Sequence, residues 1–535
     1  MKYFTYSCGC KFPIDESDGV TKIDFQPRIE NINLDCQRTW NLISDGNTKG
    51  VFQLESRLGK QTAKRLKPEN IEQLSALIAI VRPGCLEAVR DGKSVTNHYI
   101  DRKNNEESVS YFHPALEPIL NSTYGEMIYQ EQAMEIAKVI GGFDLQEADN
   151  LRKAIGKKKP EEMAKLKKKF IKGAAKLKVA TKEEAEEIFG WIEKSQRYSF
   201  NKSHSVSYAI NGYLSAFAKA HFPKVFFASY LRFAKDKIDP QMEIKELVQN
   251  AMEMDIDIRL PDIRHLNRHF ILKNNKVYFG LTDIKGVGGS VFDKLLKLSE
   301  TFDWEGASWT DVLFRILPNI NSGGAKALIQ SGALGYLRKT RNLMTFEFGI
   351  LSELTKKEMG FILDNLQPTL KEGMEYLLQN GRVNKNRREI IENLLASLQN
   401  PPYSLEDSPE WISDTEDALL GCAITCGKID MYDISMCNTT CKEFNTEDRK
   451  EKIILGGEID RIGIVKTKQG KNPGAEMAFV TLRDSTGVVE SVIFFPDQYR
   501  EYKNILFDGN VIIVAGNRSK GKDSLIVEKS YIART

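Results

Sequence analysis

The sequence predicts a multi-domain, mainly α-helical protein that carries an all-β barrel at its C-terminal end. From Val51 to about Lys237, apolar residues recur at helical spacing between capping signals and glycine or proline stops. After residue 450 the pattern changes to short alternating runs separated by turns, which is typical of strands. Five or so such strands in fewer than ninety residues suit a small barrel of the OB type. A chain of 535 residues has room for three or four domains.

Individual elements can be placed from their start and stop signals. A helix from Gln130 to Ile140 is stopped by two glycines, and the segment 484–487 (Asp-Ser-Thr-Gly) predicts a hairpin between two barrel strands. The later helices of the first region have the following start signals: an Asp144–Glu147 capping box, Pro160 at a first helical position, a Thr181–Glu184 capping box, and a start near Ser205 for a helix that reaches His221 before Pro223.

Composition excludes several classes of protein. The chain has no run of eighteen apolar residues that could cross a membrane, and its first residues, MKYFTYSCGCKF, lack the apolar core of a signal peptide. Eight cysteines in a chain of this size do not form a disulfide framework. We therefore expect a reduced, cytoplasmic setting and no membrane partner.

Positive charge is concentrated in one part of the chain. The formal net charge is only +3, but residues 151–180 hold twelve Lys or Arg against two Glu. Such asymmetry indicates a polyanionic partner, either nucleic acid or nucleotide phosphate. The alternative interpretation is an ordinary solvated helix face.

Two groups of residues in this region are candidates for phosphate binding. Arg152, Lys153 and Lys157 lie around the end of a predicted helix and could neutralise a triphosphate. Asn201, Lys202, Ser203 and His204 are predicted to form a polar loop ahead of a helix start, where amides and hydroxyls could bind phosphate oxygens or position a base. They belong to a set of five ordered segments: GVFQLES (50–56), VRPG (81–84), YGEMIYQEQ (124–132), LRKAIGKKKPEEMAK (151–165) and FNKSHSVSYA (200–209).

In this order, the five segments resemble the fingers of the C-family bacterial replicative polymerases, the DNA polymerase III alpha subunits. FNKSHS and YQEQ together are highly specific, and the resemblance is dense from Gly50 to about Leu231 and thinner towards the C-terminus. It implies template-directed DNA synthesis on a primer-template from deoxynucleoside triphosphates, in the bacterial cytoplasm or nucleoid or in a phage-infected host. It further implies that Arg152 contacts the incoming triphosphate, with Lys153 as a point charge where the family often has a second Arg. The other implied nucleotide-site residues are Lys157, Asn201, Lys202 and His204.

The segment GLTDIKGVGG (280–289) is the next candidate, because a Gly-Val-Gly turn lets backbone amides approach phosphate. A plain turn is the alternative. The flanking sequence resembles the family's helix-hairpin-helix domain, which implies sequence-independent, salt-sensitive contacts to duplex DNA. The predicted contacts there are Lys285, Gly286, Val287 and Gly288, and Lys158 and Lys159 are predicted to contact DNA from the fingers.

The barrel is expected to bind the unpaired template, since OB barrels combine basic grooves with aromatic platforms. The predicted DNA contacts are Lys468 and Lys471. Other basic residues in or near its loops are Lys466, Arg518, Lys520 and Lys522, while Phe479, Phe494 and Phe495 lie on strands and belong mostly to the core.

Four cysteines, Cys422-x3-Cys426 and Cys437-x3-Cys441, could build a tetrahedral zinc site. The x3 spacing is less typical than x2, and the sequence leaves the question open.

Catalytic carboxylates are not found. Nucleotidyl transfer needs carboxylates that hold two metal ions, and the family's palm supplies them from a close Asp pair and a third Asp. Residues 1–49 contain no Asp-x-Asp, and Asp24 only superficially resembles the third ligand. We therefore expect no catalytic or metal-binding residue in this chain, with Mg2+ held mainly by a partner palm and by the nucleotide.

Three explanations remain: half of a split polymerase with its palm on a separate chain, a noncatalytic DNA-binding or regulatory protein, or a truncated product. The retained phosphate-binding set favours the first, and a viral genome is its more plausible source. A sliding clamp is an expected partner by resemblance alone, because 336–445 and the C-terminus contain no convincing clamp-binding peptide. The predicted domains are 1–49 (palm remnant or docking segment), 50–240 (fingers), 241–336 (helix-hairpin-helix duplex or clamp binding), 337–450 (helical region and connector) and 451–535 (OB fold).

Overall fold

The computed structural model divides the chain into two units, Met1–Pro223 and Lys224–Thr535. None of the helices in the described part of the chain is long and apolar enough to cross a membrane. The boundaries of the five predicted domains remain predictions. The structure describes residues 3–5, 9–15, 22–23, 26, 28–156, 160–195, 199–446, 452–467, 473–519 and 524–534.

The first unit is helical, with small sheets at its beginning and in one hairpin. Its strands are β1 (Tyr3–Thr5), β2 (Lys11–Asp15), β3 (Lys22–Ile23), β4 (Val89–Arg90) and β5 (Lys93–Ser94). Its helices are α1 (Gln37–Ser44), α2 (Arg57–Leu66), α3 (Ile71–Ile80), α4 (Pro83–Glu87), α5 (Val95–Lys103), α6 (Glu117–Leu120), α7 (Gln130–Val139), α8 (Leu145–Gly156), α9 (Pro160–Leu177), α10 (Lys182–Ser195) and α11 (Lys202–His221).

Two apolar cores organise this unit. One forms between α3 and α11, which pack together. Helix α3 is buried from Gln73 to Ile80, as expected for a sequence that is apolar on every side. The second core joins α7 to α10 through Ile136, Leu151 and Phe170, among others. The predicted start signals of these helices are confirmed: the amides of the first turns bond to Glu147 and Asp144 and to Glu184 and Thr181, and α9 begins at Pro160.

A close backbone approach fixes the position of α9. A Cβ atom placed on Gly173 would lie 1.8 Å from the carbonyl oxygen of Gly141, in the connection between α7 and α8. Only glycine fits at such a crossing. Gly141 therefore ends α7, as predicted, and also allows the contact with α9.

Helix α11 begins earlier than the sequence predicted. Lys202, Ser203 and His204 form its first turn, and Asn201 is its N-cap, with a side-chain oxygen that accepts from the His204 amide at 2.8 Å. The predicted polar loop is therefore wrong in conformation. An N-cap and first turn tolerate polar residues because their amides lack partners within the helix.

Before the barrel, the second unit is mainly helical and is built around one large apolar core. Its short strands are β6 (Ile258–Arg259), β7 (Ile271–Lys273) and β8 (Lys276–Tyr278). Its helices are α12 (Pro223–Arg232), α13 (Pro240–Glu253), α14 (Gly289–Ser299), α15 (Trp309–Asp311), α16 (Ser322–Gln330), α17 (Arg341–Ser352), α18 (Lys356–Asp364), α19 (Leu370–Asn380), α20 (Lys385–Gln399), α21 (Pro409–Leu420), α22 (Cys441–Thr446) and α23 (Pro496–Tyr502).

The unit ends in a closed five-stranded barrel, whose strand order is β10-β11-β13-β12-β9. All pairs are antiparallel except β11 with β13, and the predicted turn 484–487 joins β10 to β11. The fold class, mainly α with an OB-type barrel, is confirmed. The strands are β9 (Ile453–Lys466), β10 (Glu476–Arg483), β11 (Val488–Phe494), β12 (Val511–Arg518) and β13 (Leu525–Ile532).

Ion pairs join the barrel to the helices of the second unit. On β9, Glu458 accepts from Arg483 at 2.7 Å and lies 3.9 Å from the Lys428 ammonium. Asp460 pairs with Lys245 of α13 at 2.5 Å. Arg483 belongs to the neighbouring strand β10, whereas Lys428 and Lys245 lie outside the barrel, so these two lysines hold the barrel against the rest of the second unit on one side.

Candidate functional site

The starts of α7 and α11 are joined by a short backbone bridge. The Phe200 amide donates to the carbonyl of Ile128, and the Gln130 amide donates to the carbonyl of Phe200, both at 2.9 Å. The segments YGEMIYQEQ and FNKSHSVSYA, which are distant in sequence, therefore lie side by side. This bridge places both helix N-termini at one surface.

Glu131 links the two helix starts. Its carboxylate accepts from the Asn201 side-chain amide at 2.8 Å and from the Lys202 backbone amide at 2.9 Å. A carboxylate thus occupies the N-terminus of α11, where unpaired amides and the helix dipole favour an anion. The Lys202 ammonium lies 3.8 Å from Glu72 and 5.6 Å from the centroid of the Tyr129 ring. Glu131, which is not among the predicted site residues, thus bonds to both Asn201 and Lys202.

A row of rings, the aromatic row, runs along the same surface. His204 lies 4.0 Å from Tyr208 and 5.4 Å from Phe200, and Tyr208 lies 5.1 Å from Phe52, measured between ring centroids. The guanidinium of Arg82 covers the Phe200 ring at 3.8 Å. His204 and Phe52 are exposed to solvent. Exposed ring faces can stack with nucleobases.

Sequence reasoning missed Arg82, Phe52 and Tyr208 as individual residues, although their segments had been singled out. The four-residue spacing of Phe200, His204 and Tyr208 was a usable signal, because residues four apart share one helix face. Phe52 had no such signal. Its amide bonds to the Ser215 hydroxyl of α11 at 3.2 Å, a tertiary contact.

Arg152 and Lys153 lie on α8 and share one carboxylate. Asp149 accepts from the Arg152 Nε and Nη2 atoms at 3.0 and 2.8 Å, and the Lys153 ammonium lies 2.6 Å from its second oxygen. Hydrogen bonds from Lys153 and then Arg152 lower the pKa of Asp149. Helix α8 packs on α7, which it follows after a short connection. Lys157, Lys158 and Lys159 lie outside the described residues.

A buried ion-pair network holds the segment YGEMIYQEQ in place through Glu126. Glu126 is almost fully buried and is bonded by Arg90 and, at 3.1 Å, by Arg102. Burial raises its pKa, an effect that the two arginines partly offset. Burial also acts to raise the pKa of Glu107, but hydrogen bonds from His98, Arg102 and Lys93 outweigh it and lower that pKa to about 2. The network fixes the turn that leads into Tyr129.

The predicted duplex-binding turn is present, but not every residue of it is available. Lys285, Gly286 and Gly288 are exposed, and Gly286 adopts a φ of 96° that favours glycine. Val287 is buried in the core, and its amide donates to the Ile284 carbonyl at 3.0 Å. Val287 therefore anchors the turn by packing, and its predicted contact with phosphate stays a prediction.

The structure does not describe the predicted DNA contacts of the barrel. The residues outside the described part are Lys468, Lys471 and two nearby lysines, Lys520 and Lys522. Arg518 packs on the Phe444 ring at 4.3 Å and bonds its carbonyl, so it braces α22. As expected, Phe494 belongs to the core, whereas Phe495 is 43% exposed.

In the described part of the chain, no group of three or more His, Cys, Asp or Glu side chains is placed to hold a metal. The four downstream cysteines do not converge. The Cys441 thiol donates to the Leu482 carbonyl at 3.7 Å and the Cys426 thiol to the Pro409 carbonyl at 3.4 Å. The described carboxylates likewise do not fit the magnesium set of a polymerase palm, and Asp24 lies outside the described residues.

The sequence of the chain is similar to those of known proteins. Residues 15–178 match the family model of the bacterial DNA polymerase III alpha subunit finger domain, and residues 255–344 match a helix-hairpin-helix motif. The chain is similar to DNA polymerase III subunit alpha of Aquifex aeolicus (32% identical over 488 residues), Borreliella burgdorferi (30% over 518) and Staphylococcus aureus (30% over 512).

These alignments cover 90%, 94% and 94% of this chain but only 37%, 42% and 43% of the respective relatives. The chain thus spans about two fifths of the length of the relatives it matches. The predicted resemblance is confirmed over nearly the whole chain. The chain is thus similar to the bacterial DNA polymerase III alpha subunits over most of its own length, with residues 15–178 matching their finger domain and residues 255–344 matching a helix-hairpin-helix motif.

Proposed function

We propose that the chain takes part in template-directed DNA synthesis as the nucleotide- and DNA-holding part of a replicative DNA polymerase. The observation that carries the proposal is the meeting of the α7 and α11 starts beside the aromatic row. It gathers amide donors, the Lys202 ammonium and exposed ring faces at one surface. A nucleoside triphosphate offers the complementary chemistry. Its phosphate oxygens can accept hydrogen bonds from the amides and the ammonium, and its base can stack on the rings.

The carboxylates at this site support the same proposal. Asp149 holds Arg152 and Lys153, and Glu131 holds Asn201 and the Lys202 amide. A carboxylate and a phosphate compete for the same donors. In the proposed complex the triphosphate takes donors from Asp149, and Arg152 offers it a planar fork while Lys153 offers a point charge. Lys157 and His204 complete the proposed nucleotide site.

We propose that the metal-binding palm is supplied by a separate chain. The described carboxylates form no metal-binding group, which supports this division of labour. Mg2+ would be held mainly by the carboxylates of that palm and by the nucleotide phosphates, and it would supply charge neutralisation at the reacting phosphate. The residues of this chain would bind and orient the nucleotide.

The proposed DNA contacts lie in three places. The turn with Lys285, Gly286 and Gly288 would contact duplex phosphates, and Lys158 and Lys159 would contact DNA from the fingers. In the barrel, Lys468 and Lys471 would contact the unpaired template. A sliding clamp is a further proposed partner, supported by the resemblance alone.

Primer extension tests the function directly. The chain is assayed alone, and again mixed with a palm-containing chain encoded nearby. We expect synthesis only in the mixture, and robust synthesis by this chain alone would contradict the proposed division.

Arg152→Ala tests the nucleotide site in the same assay. The control is Arg500→Ala, because Arg500 also lies three residues after an aspartate on a helix, at 3.9 Å from Asp497. We expect Arg152→Ala to weaken nucleotide use far more than DNA binding, and Arg500→Ala to change neither. Equal losses of nucleotide use and DNA binding would contradict the role of Arg152.

The second candidate function is that of a noncatalytic DNA-binding or regulatory protein. The lack of a metal-binding group in the described residues favours it as much as it favours a separate palm. If the mixture with a palm-containing chain stays inactive in primer extension while this chain still binds primer-template, the noncatalytic function is supported.

A further inference from the structure

Helix α9 has two faces of opposite character. Met163, Phe170 and Ala174 are buried in the core that joins α7 to α10. The opposite face carries lysines, and all of them are exposed to solvent. They are Lys165, Lys168, Lys169, Lys172 and Lys176, which we call the lysine face.

The spacing of the lysine face follows the helix. Lys168, Lys172 and Lys176 are each four residues apart, so their Cα atoms rise by about 6 Å per step. The face extends over about 16 Å from Lys165 to Lys176. It presents a line of ammonium groups at regular intervals, which matches an extended chain of anions better than a single small one.

The lysine face is poorly neutralised by the protein. From Met163 to Leu177 the helix contains no acidic residue. Lys169 pairs with Glu147, whereas Lys165, Lys168, Lys172 and Lys176 have no ion pair within the described residues. Other exposed helices of this protein differ, because Lys182 and Lys371 each have a glutamate one turn away. Like charges four residues apart destabilise a helix, and a polyanionic partner would remove that repulsion.

The chemistry of the face identifies the kind of partner. None of the exposed side chains on it is aromatic, so it can contact phosphates but cannot stack with bases. A membrane surface fits less well, because the apolar face that an interfacial helix would insert is buried in the protein core. We infer that the lysine face is a binding surface for the phosphate backbone of a nucleic-acid strand, separate from the nucleotide site and independent of sequence.

The inference rests on the DNA-holding part of the proposed function and deepens it, but it requires neither nucleotide binding nor synthesis. Binding of a fluorescently labelled DNA oligonucleotide to the full chain is measured by anisotropy, without nucleotide, between about 50 and 200 mM salt. The variant carries Lys165→Gln, Lys168→Gln, Lys172→Gln and Lys176→Gln. Glutamine keeps helix propensity close to that of lysine, and circular dichroism checks the fold.

Each neutralised phosphate contributes about 0.7 to the slope of log affinity against log salt for a single strand, or about 0.9 for a duplex. The fourfold variant is therefore expected to lose about 3 from this slope. A matched control removes four exposed lysines of the second unit, Lys356, Lys357, Lys371 and Lys385, and should keep the slope. Substituting the four α9 lysines with arginine should also keep it.

The inference is overturned if the Gln variant and the unsubstituted chain give the same slope, or if the control variant loses as much. Preference for a polyglutamate competitor over DNA would instead assign the face to an acidic protein and also overturn it. Failure of primer extension leaves this measurement unaffected, so the two proposals can fail separately.

Discussion

The guanidinium carbon of Arg82 lies 3.8 Å from the centroid of the Phe200 ring. This cation–π contact joins the segment VRPG to FNKSHSVSYA and closes one end of the aromatic row. Because Phe200 is also held by its backbone bridge to the start of α7, Arg82 braces the surface at which Asn201 and Lys202 lie.

Replacing Arg82 with Ala should loosen that surface. We expect the free energy of unfolding of the first unit to fall by about 0.5–2 kcal/mol, the range of cation–π contacts. Chemical denaturation measures the loss, and hydrogen exchange should show faster exchange at the α11 start. Arg82→Lys should retain part of the contact. Unchanged exchange at the α11 start would mean that Arg82 does not brace it.

Replacing Asp149 with Asn should strengthen triphosphate binding. The change removes the carboxylate that neutralises Arg152 and Lys153, but the gain is limited to about two- to fivefold because exposed ion pairs are weak. Titration with a fluorescent deoxynucleoside triphosphate checks this, with Asp497→Asn as the matched control near Arg500. Weaker binding by Asp149→Asn would show that Asp149 positions Arg152 and does not compete with phosphate.

Glu107 should make the first unit sensitive to acid. Its pKa is lowered to about 2 in the folded protein, so its contribution to stability is present above the pKa of the unfolded chain, about 4.3, and is lost as pH falls towards 2. Glu107→Gln should therefore lower the Tm at pH 7, and the difference from the unsubstituted protein should vanish near pH 2. A Tm difference that is constant from pH 7 to pH 2 would contradict this assignment.

The second unit depends on a buried pair between Glu416 of α21 and Arg341 of α17. The two side chains bond at 2.7 Å, and Glu416 also accepts from the amides of Ile424 and Thr425. Glu416→Ala would leave the buried guanidinium of Arg341 without its carboxylate partner and should lower the free energy of unfolding by about 3–5 kcal/mol. Glu392→Ala removes an exposed pair with Arg388 and should cost less than about 1 kcal/mol in the same denaturation experiment. Similar losses of unfolding free energy in Glu416→Ala and Glu392→Ala would show that burial does not make the Arg341–Glu416 pair more important for stability.

Local signals were the part of the fold that the sequence predicted well. The Asp144–Glu147 and Thr181–Glu184 boxes lie where predicted, because a cap depends on neighbours three residues apart. The barrel was predictable because alternation and turns repeat over many residues. The start of α11 was placed too late because Lys202, Ser203 and His204 are polar and resemble a loop.

Tertiary contacts were beyond prediction. No local pattern indicates that Phe200 pairs with Tyr129, or that Ser215 holds the amide of Phe52. The burial of Val287 likewise depends on a core assembled from distant segments. Sequence motifs indicated which segments belong to the candidate site, and the structure shows which side chains meet there.

The ion pairs of Lys245 and Lys428 with the barrel have a consequence for how a strand would be bound in the proposed function. A barrel on a loose tether would have to be ordered during binding, and that ordering costs conformational entropy. To swing away from the helices, this barrel would have to separate Lys245 from Asp460 and Lys428 from Glu458. The barrel is thus preorganised, and in the proposed function the direction in which a template leaves the second unit would be set when the protein folds.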